Sequence, residues 1–289
     1  MFTDSPATPI RVEILLELVW EMRERKLNRD AIRKLLQPSG LPDLSQASKQ
    51  AFETLNAAKE LGLLKEDDEG SFRPAWNVRK PFVANAILLS AIDDKVLSST
   101  EVEPWFARFF SYVITKKNDV LSPGTPSGNK WSNEFNRDLY GGSTPENPFN
   151  ATKFTGLRRW LRYAGLGWHD AQDNFVPCPY NRVLRKLPDI FGKKKKLSSD
   201  DFMAGLASNC PELDDGAIFQ EANNRADLNR TCTRALAIVL RDLHDDKVIK
   251  LDCPPDSRGW NLVKAGVIRN PQEGLSSDKF DYIEIVRNS

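Results

Sequence analysis

A mainly α-helical fold with small two-stranded antiparallel wings, arranged as tandem winged helix-turn-helix units, follows from three features of the sequence. The first is the stretch Asn150–Pro177. Phe154, Leu157, Leu161 and Ala164 recur at helical spacing, and Gly165 can adopt the positive φ that ends a helix. Two short strand-like segments, Leu166–Trp168 and Phe175–Pro177, then flank the polar turn His169–Asn174. The second feature is the same phrase 103 residues upstream, without a gap, over Leu55–Pro74. Gly62, Leu63, Asp67, Phe72 and Pro74 there match Gly165, Leu166, Asp170, Phe175 and Pro177. The identities fall at the helix stop, the strand core and the hairpin base, where such a fold needs particular residues. The third is a looser copy, Thr231–Leu262, in which Leu236, Leu240 and Leu243 stripe a helix, Val248–Leu251 form a strand, and Trp260–Val263 return after the loop Asp252–Gly259.

Taken in order, the first winged unit spans residues 8–80. Thr8 is a suitable N-cap with Pro9 at the first helical position, and Ile10, Ile14, Leu15, Leu18, Val19 and Met22 supply an inner face. Asn28 caps a second helix, Arg29–Leu36, with Ile32, Leu35 and Leu36 inward, and Pro38, Gly40 and Pro42 break it. A third helix, about Ser45–Leu61, offers Lys49, Gln50, Thr54 and Asn56 to a major groove. Residues 81–117 read as a helical connector whose Trp105, Phe106, Phe109 and Phe110 are core. Residues 118–149, rich in Pro, Gly, Ser and Asn, read as a loop or linker partly docked by Trp131, Phe135 and Tyr140. The basic second unit covers 150–196 and includes a helix, Tyr180–Phe191. The third unit covers 197–289, begins with a helix capped by Ser198 or Ser199, and ends on a strand near Phe280–Val286.

At 289 residues with 40% apolar side chains, the chain can bury two or three ordinary cores. It contains no run of about 18 apolar residues, and its first residues set an acid and two prolines ahead of an amphipathic stretch. A soluble cytoplasmic protein with no membrane partner is expected. Cys178, Cys210, Cys232 and Cys253 include no close pair and have only His169 and His244 to help, which favours reduced core thiols over zinc ligands or disulfides. The net charge of +1 conceals a segmentation: residues 150–196 carry 11 basic and 3 acidic side chains, whereas residues 197–289 are net −5.

That basic segment is the candidate contact with double-stranded DNA, through Lys153, Arg158, Arg159, Arg162, Arg182, Arg185, Lys186, Lys193, Lys194, Lys195 and Lys196. The competing reading is a solvated cationic face that pairs with acids elsewhere in the chain. Arg230, Thr233, Arg234 and Arg241 form a second candidate surface, opposed by Asp242, Asp245 and Asp246 at the end of the same helix. Glu66, Asp67, Asp68 and Glu69 fall on the tip of the first wing, where they would repel phosphate, so this wing is expected to meet a protein. Trp160 and Trp168 could stack on bases or simply pack. No nucleotide-binding glycine loop, metal-binding His pair or nucleophile elbow is present, and the pairs Asp200/Asp201 and Asp214/Asp215 fall where acids favour helix starts. A protein that is not an enzyme, with no cofactor and no metal, is expected.

The succession PCPYNRVLRKLPDIF, DFMAGLASNCPELDDGAIF, TRALAIVLRDLHDDKVIKL and FDYIEI resembles the G component of the bacterial 7-deazapurine DNA-modification and restriction (Dpd) phage-defence system. The likeness spans roughly Trp160–Val286. The chain departs from the family pattern at Pro177-Cys178-Pro179, where the family has Pro-Asp-Pro, and at Leu213-Asp214-Asp215-Gly216, where it has Leu-Asp-Gly-Gly. The resemblance implies a restriction-side accessory protein whose partners are the other proteins of the same defence operon, and it brings no catalytic residues. The expected function is a non-catalytic DNA-binding or adaptor subunit of an anti-phage DNA modification and restriction system. The alternatives are a purely protein-binding winged-helix scaffold and a transcriptional regulator.

Overall fold

Each helix–hairpin phrase must close its last helical turn and its hairpin with local hydrogen bonds, and the computed structural model displays how. It describes residues 7–37, 45–76, 82–100, 102–103, 105–115, 127–141, 147–172, 174–225, 227–263 and 278–286. The chain divides into two compact units, residues 1–106 with 150–163, and residues 107–149 with 164–289. The segment 150–196 therefore contributes to both.

In the first unit the order is α1 (Pro9–Glu21), β1 (Leu27–Asn28), α2 (Arg29–Leu36), α3 (Ser45–Glu60), β2 (Leu64–Glu66) and β3 (Ser71–Pro74), followed by α4 (Ala84–Ile92) with a π-helical turn Asp93–Leu97; α7 (Ala151–Tyr163) joins later in the chain. Pro9 opens α1 behind an extended Thr8, whose side chain makes no cap bond. Asn28 caps α2 as expected, its Oδ1 accepting the Ala31 N–H at 2.9 Å. The strands lie in the order β1-β3-β2, all antiparallel. The core is built on Val12, Leu15, Leu16 and Val19 of α1, Ile32, Leu55, Ala58, Leu63 and Phe72. Ile10 and Ile14, expected inward, are 59% and 45% exposed. The run IRVEILLELVW is apolar enough to carry two helical stripes, and the one through Val12 wins. Leu35 is also on the outside, and Thr54 is buried with its hydroxyl donating to the Gln50 carbonyl. The break expected at Pro38, Gly40 and Pro42 lies outside the described residues. Helix α7 is held in this unit by the Trp160 indole N–H, which donates to the Ala7 carbonyl at 3.1 Å, and by the Tyr163 hydroxyl, which donates to Glu13.

The repeat is visible bond by bond. Gly62 and Gly165 end their helices at φ 69° and 77°. Ala75 N–H donates to the Leu63 carbonyl at 3.0 Å, and Cys178 N–H donates to Leu166 at 2.9 Å. Asp67 Oδ1 accepts the N–H groups of Glu69 and Ser71, and Asp170 Oδ1 accepts those of Gln172 and Asn174. Leu64 pairs with Pro74 in β2–β3, as Gly167 pairs with Pro177 in the hairpin β4 (Gly167–His169) and β5 (Phe175–Pro177). Every one of these correspondences keeps the sequence spacing of 103.

In the second unit a third copy obeys the same rules with different residues. It runs α8 (Tyr180–Phe191), β6 (Lys196–Ser198), α9 (Ser199–Asn209), α10 (Ala217–Ala222), β7 (Thr231–Cys232), α11 (Arg234–Asp245), β8 (Ile249–Asp252), β9 (Trp260–Leu262), β10 (Lys279–Phe280) and β11 (Tyr282–Ile285). Lys247 replaces the glycine at φ 57°, and Val286 N–H donates to the Val248 carbonyl at 2.9 Å. Ser198 caps α9 as Asn28 caps α2. The order β6-β11-β8 repeats β1-β3-β2. The strand returning against β8 is thus β11 and not Trp260–Val263. Trp260–Leu262 instead pairs antiparallel with β10 and parallel with β7, in a small sheet that occupies the long connection between β8 and β11. Two of the expected two-stranded wings are accordingly three-stranded; among the described residues, β4–β5 remains the one simple pair.

The stretch 118–149 is not all loop. α5 (Phe106–Val113) is followed by α6 (Ser127–Tyr140), and the Phe135 ring meets Phe109, Tyr112 and Phe149 edge-on with centroids 5.2–5.5 Å apart. Trp131, Phe135 and Leu139 recur every fourth residue, a pattern hidden by the Ser and Asn content around them. Residues 118–126 and 142–146 lie outside the description.

Asp214 does not cap its own helix. Fully buried, it accepts the Thr233 N–H at 2.6 Å and the Thr233 hydroxyl at 2.7 Å, and Thr233 in turn caps α11. Burial pushes the Asp214 carboxyl up to about 6 despite these bonds.

Two outcomes are expected. Gly62→Ala, which meets open space, costs about 1 kcal/mol for the left-handed backbone alone, whereas Gly165→Ala costs more, because its Cβ would lie 2.7 Å from Asn181 Cβ; urea unfolding compares them. The raised Asp214 pKa means the folded state binds its proton more tightly, so this contribution to stability is complete below the ordinary value and is lost as pH rises through about 6. Asp214→Asn should flatten the pH dependence of the urea midpoint between about pH 4 and 7.

Candidate nucleic-acid interface

Helix α7 buries Phe154, Leu157, Trp160 and Leu161, which fixes where its cations point. Arg159 and Arg162 are exposed and Arg158 is half-buried beside them. Among the described residues, Arg159 and Arg162 make no ion pair. Lys153 is not part of this face: at 2% exposure it is one of the most buried side chains of the helix. Trp160 is entirely buried, so the packing reading holds for it.

The second unit carries the other expected cations. Arg182, expected outward, is 1% exposed. Its Nε donates to Glu212 Oε1 at 2.7 Å and its Nη2 to the Asn209 carbonyl at 3.1 Å, while the Glu212 carbonyl accepts the Ser111 hydroxyl. The side chain sits where α8 packs on α9, and a guanidinium is tolerated there because a buried carboxylate meets it. Arg185 donates to the Ala164 carbonyl at 2.9 Å, tying down the end of the preceding helix, and Lys186 reaches Asp189. Lys193, Lys194, Lys195 and Lys196 are all exposed. The Lys196 ammonium lies 4.3 Å from the centre of the Tyr282 ring.

Elsewhere the charges cancel locally. Arg230 pairs with Asp200 and Arg241 with Asp278, and Thr233 is a buried cap, which removes most of the second candidate surface. At the tip of the first hairpin, Lys59 and Arg29 meet Glu66, Arg73 meets Asp67, and Lys26 meets Glu69. The hydrogen bond from Lys59 holds the Glu66 carboxyl below its usual range. Asp67 is a turn-builder through its two backbone bonds, and Asp68 stays exposed. The sequence reading missed Glu212, which the run PELDD disguised as one more surface acid, although Cys210 and Leu213 on either side marked a buried segment.

Among the described residues no group of three His, Cys, Asp or Glu side chains could hold a metal ion, and no helix is long and apolar enough to cross a membrane. Cys178, Cys210 and Cys232 are free and buried, and Cys253 is free and half-buried. The arrangement defines a mainly helical protein with small, largely antiparallel sheets, in which helix–hairpin phrases recur and one helix presents exposed arginines. The chain belongs to the DpdG-like family, whose model matches residues 1–257. That match carries the resemblance through the N-terminal half, while the phrase Phe280–Ile285 lies beyond it. Searches of curated proteins and of solved structures gave no match.

The two classes of arginine should separate experimentally. Arg182→Ala leaves Glu212 charged and buried and should cost about 3–5 kcal/mol, whereas Arg159→Ala should change stability by no more than about 0.5 kcal/mol; urea unfolding of both variants measures the difference.

Proposed function

We propose that this chain is a non-catalytic DNA-binding or adaptor subunit of a bacterial anti-phage system that modifies and restricts DNA, acting in the cytoplasm beside the other products of its operon. Membership of the DpdG-like family supports the system. We further propose that its helix–hairpin repeats are winged helix-turn-helix units. The order helix, strand, two helices, hairpin, with strand order β1-β3-β2 and again β6-β11-β8, supports that reading.

The observation that carries the DNA reading is the exposed pair Arg159 and Arg162, with Arg158 beside them, on the helix that ends at the second hairpin. Arg159 and Arg162, without carboxylate partners among the described residues, keep their full attraction for phosphate, and an arginine can make two parallel hydrogen bonds to it. Lys193, Lys194 and Lys195 add exposed positive charge. Lys153 and Arg182, by contrast, belong to packing.

A second reading, a protein-binding scaffold, is favoured by the exposed Asp68 and Glu69 at the tip of the first hairpin, with Glu66 and Asp67 behind them. It expects co-purification with operon neighbours and no salt-sensitive affinity for DNA.

Fluorescence anisotropy with a DNA duplex at about 50 and 200 mM salt separates the two. If three arginines meet phosphate, affinity should fall roughly 40-fold across that range, and Arg158→Glu/Arg159→Glu/Arg162→Glu, shown by circular dichroism to remain folded, should lose most of the binding. Absence of binding by the intact protein, or a variant that binds as tightly as the parent, would overturn the DNA reading.

A further inference from the structure

Each copy sets a long helix directly before its hairpin: α3, α7 and α11. Aligned on the left-handed residues Gly62, Gly165 and Lys247, four positions of these helices fall on one face, at successive spacings of three, four and three residues. In α7 they are Thr152, Thr155, Arg159 and Arg162, and all four are exposed. No Asp or Glu occurs from Asn150 to Trp168. The Glu13 carboxylate, which meets α7 at Tyr163, is engaged by the Tyr163 hydroxyl and the Asn85 amide. In α3 the same positions hold Lys49, Phe52, Asn56 and Lys59, interspersed with Glu53 and followed by Glu60, and Lys59 is bound by Glu66. In α11 they hold Arg234, Ala237, Arg241 and His244. There Ala237 is fully buried, Arg241 pairs with Asp278, and His244 Nδ1 accepts the Leu251 N–H at 3.1 Å. Of the three helices, α7 is therefore the one whose outer face is both exposed along its length and without a carboxylate of its own.

Resting on the reading of this helix as a DNA contact, we propose that α7 lies in the major groove and that Thr155 reads a thymine methyl group there. A helix approaches base edges through its N-terminal half, and it comes close only where the side chains are short. Thr152, Thr155 and the neighbouring Gly156 provide such a stretch. The Thr155 hydroxyl donates to the Ala151 carbonyl at 3.0 Å. Its donor is thus consumed within the helix, and what remains for a base is the methyl group, whose apolar counterpart in the major groove is the C5-methyl of thymine. Arg159 and Arg162, further along the same face, are long enough to hold phosphates at the edge of the groove. The arginines supply affinity, and Thr155 supplies the choice of base.

The test measures fluorescence anisotropy of the intact chain with two duplexes of equal length, one of alternating deoxyadenosine and thymidine and one of alternating deoxyadenosine and deoxyuridine, at a low and a higher salt concentration. The two present the same phosphates and the same minor-groove edges and differ in the thymine methyl. The thymine duplex should bind about fourfold more tightly. Thr155→Ser, which keeps the hydroxyl and removes the methyl, should abolish that preference and leave the salt dependence unchanged. Arg159→Ala should weaken both duplexes equally and lower the salt slope by about one. Equal affinity of the parent for the two duplexes, or a thymine preference that survives Thr155→Ser, would overturn the proposal and leave the DNA reading standing. Binding of neither duplex would overturn both.

Discussion

The constraint on which the rest depends is the left-handed residue that ends a helix and hands the chain to a hairpin. Once Gly62, Gly165 or Lys247 takes a positive φ, the next residue's carbonyl, on Leu63, Leu166 or Val248, is aimed to receive the amide of the returning strand. That bond fixes the register, and the register decides which side chains reach the core: Phe72, Phe175 and Ile283 all fall in the third pair from the base, and all are buried. Between hairpin and base the sequence is free to vary. The first two copies have short turns built by Asp67 and Asp170, and the third accommodates a whole further sheet.

This freedom lets the copies diverge in surface chemistry while sharing a frame. In the first copy the acids of the hairpin are answered by Lys26, Arg29, Lys59 and Arg73. In the third, Asp200 and Asp278 answer Arg230 and Arg241. Such exposed pairs add little stability, but they erase local potential. Helix α7 is different, since Arg159 and Arg162 have no carboxylate partner among the described residues. The local excess of positive charge in the sequence thus narrows to a few residues on one helix and one lysine run.

Much of the fold was legible because backbone rules leave a mark on residue type. Gly at a helix stop, Asn28 as a cap, Ser198 as one of two candidate caps, and Asp at a fixed turn position were readable without any contact information. The phase of α1 was not, because the apolar residues set between Arg11, Glu13, Glu17 and Glu21 allow more than one stripe, and only packing chooses Val12 over Ile10. The third hairpin was misread because its return strand lies some thirty residues beyond β8, past a closer apolar segment that pairs elsewhere. At the site, exposure of Arg159 and Arg162 followed from helical period. Burial of Arg182 did not, because it depends on Glu212, a residue 30 positions away that no local pattern connects to it.

The central claim is that α7 presents the cations that meet DNA. It is tested most directly by arginine-specific modification with phenylglyoxal, read by mass spectrometry with and without a bound duplex. The expected result is that Arg159 and Arg162 react in the free protein and are shielded by DNA, that Arg230 and Arg234 react equally in both, and that Arg182 stays unreactive throughout. Shielding centred on Arg230 and Arg234, or no change at Arg159 and Arg162, would contradict it.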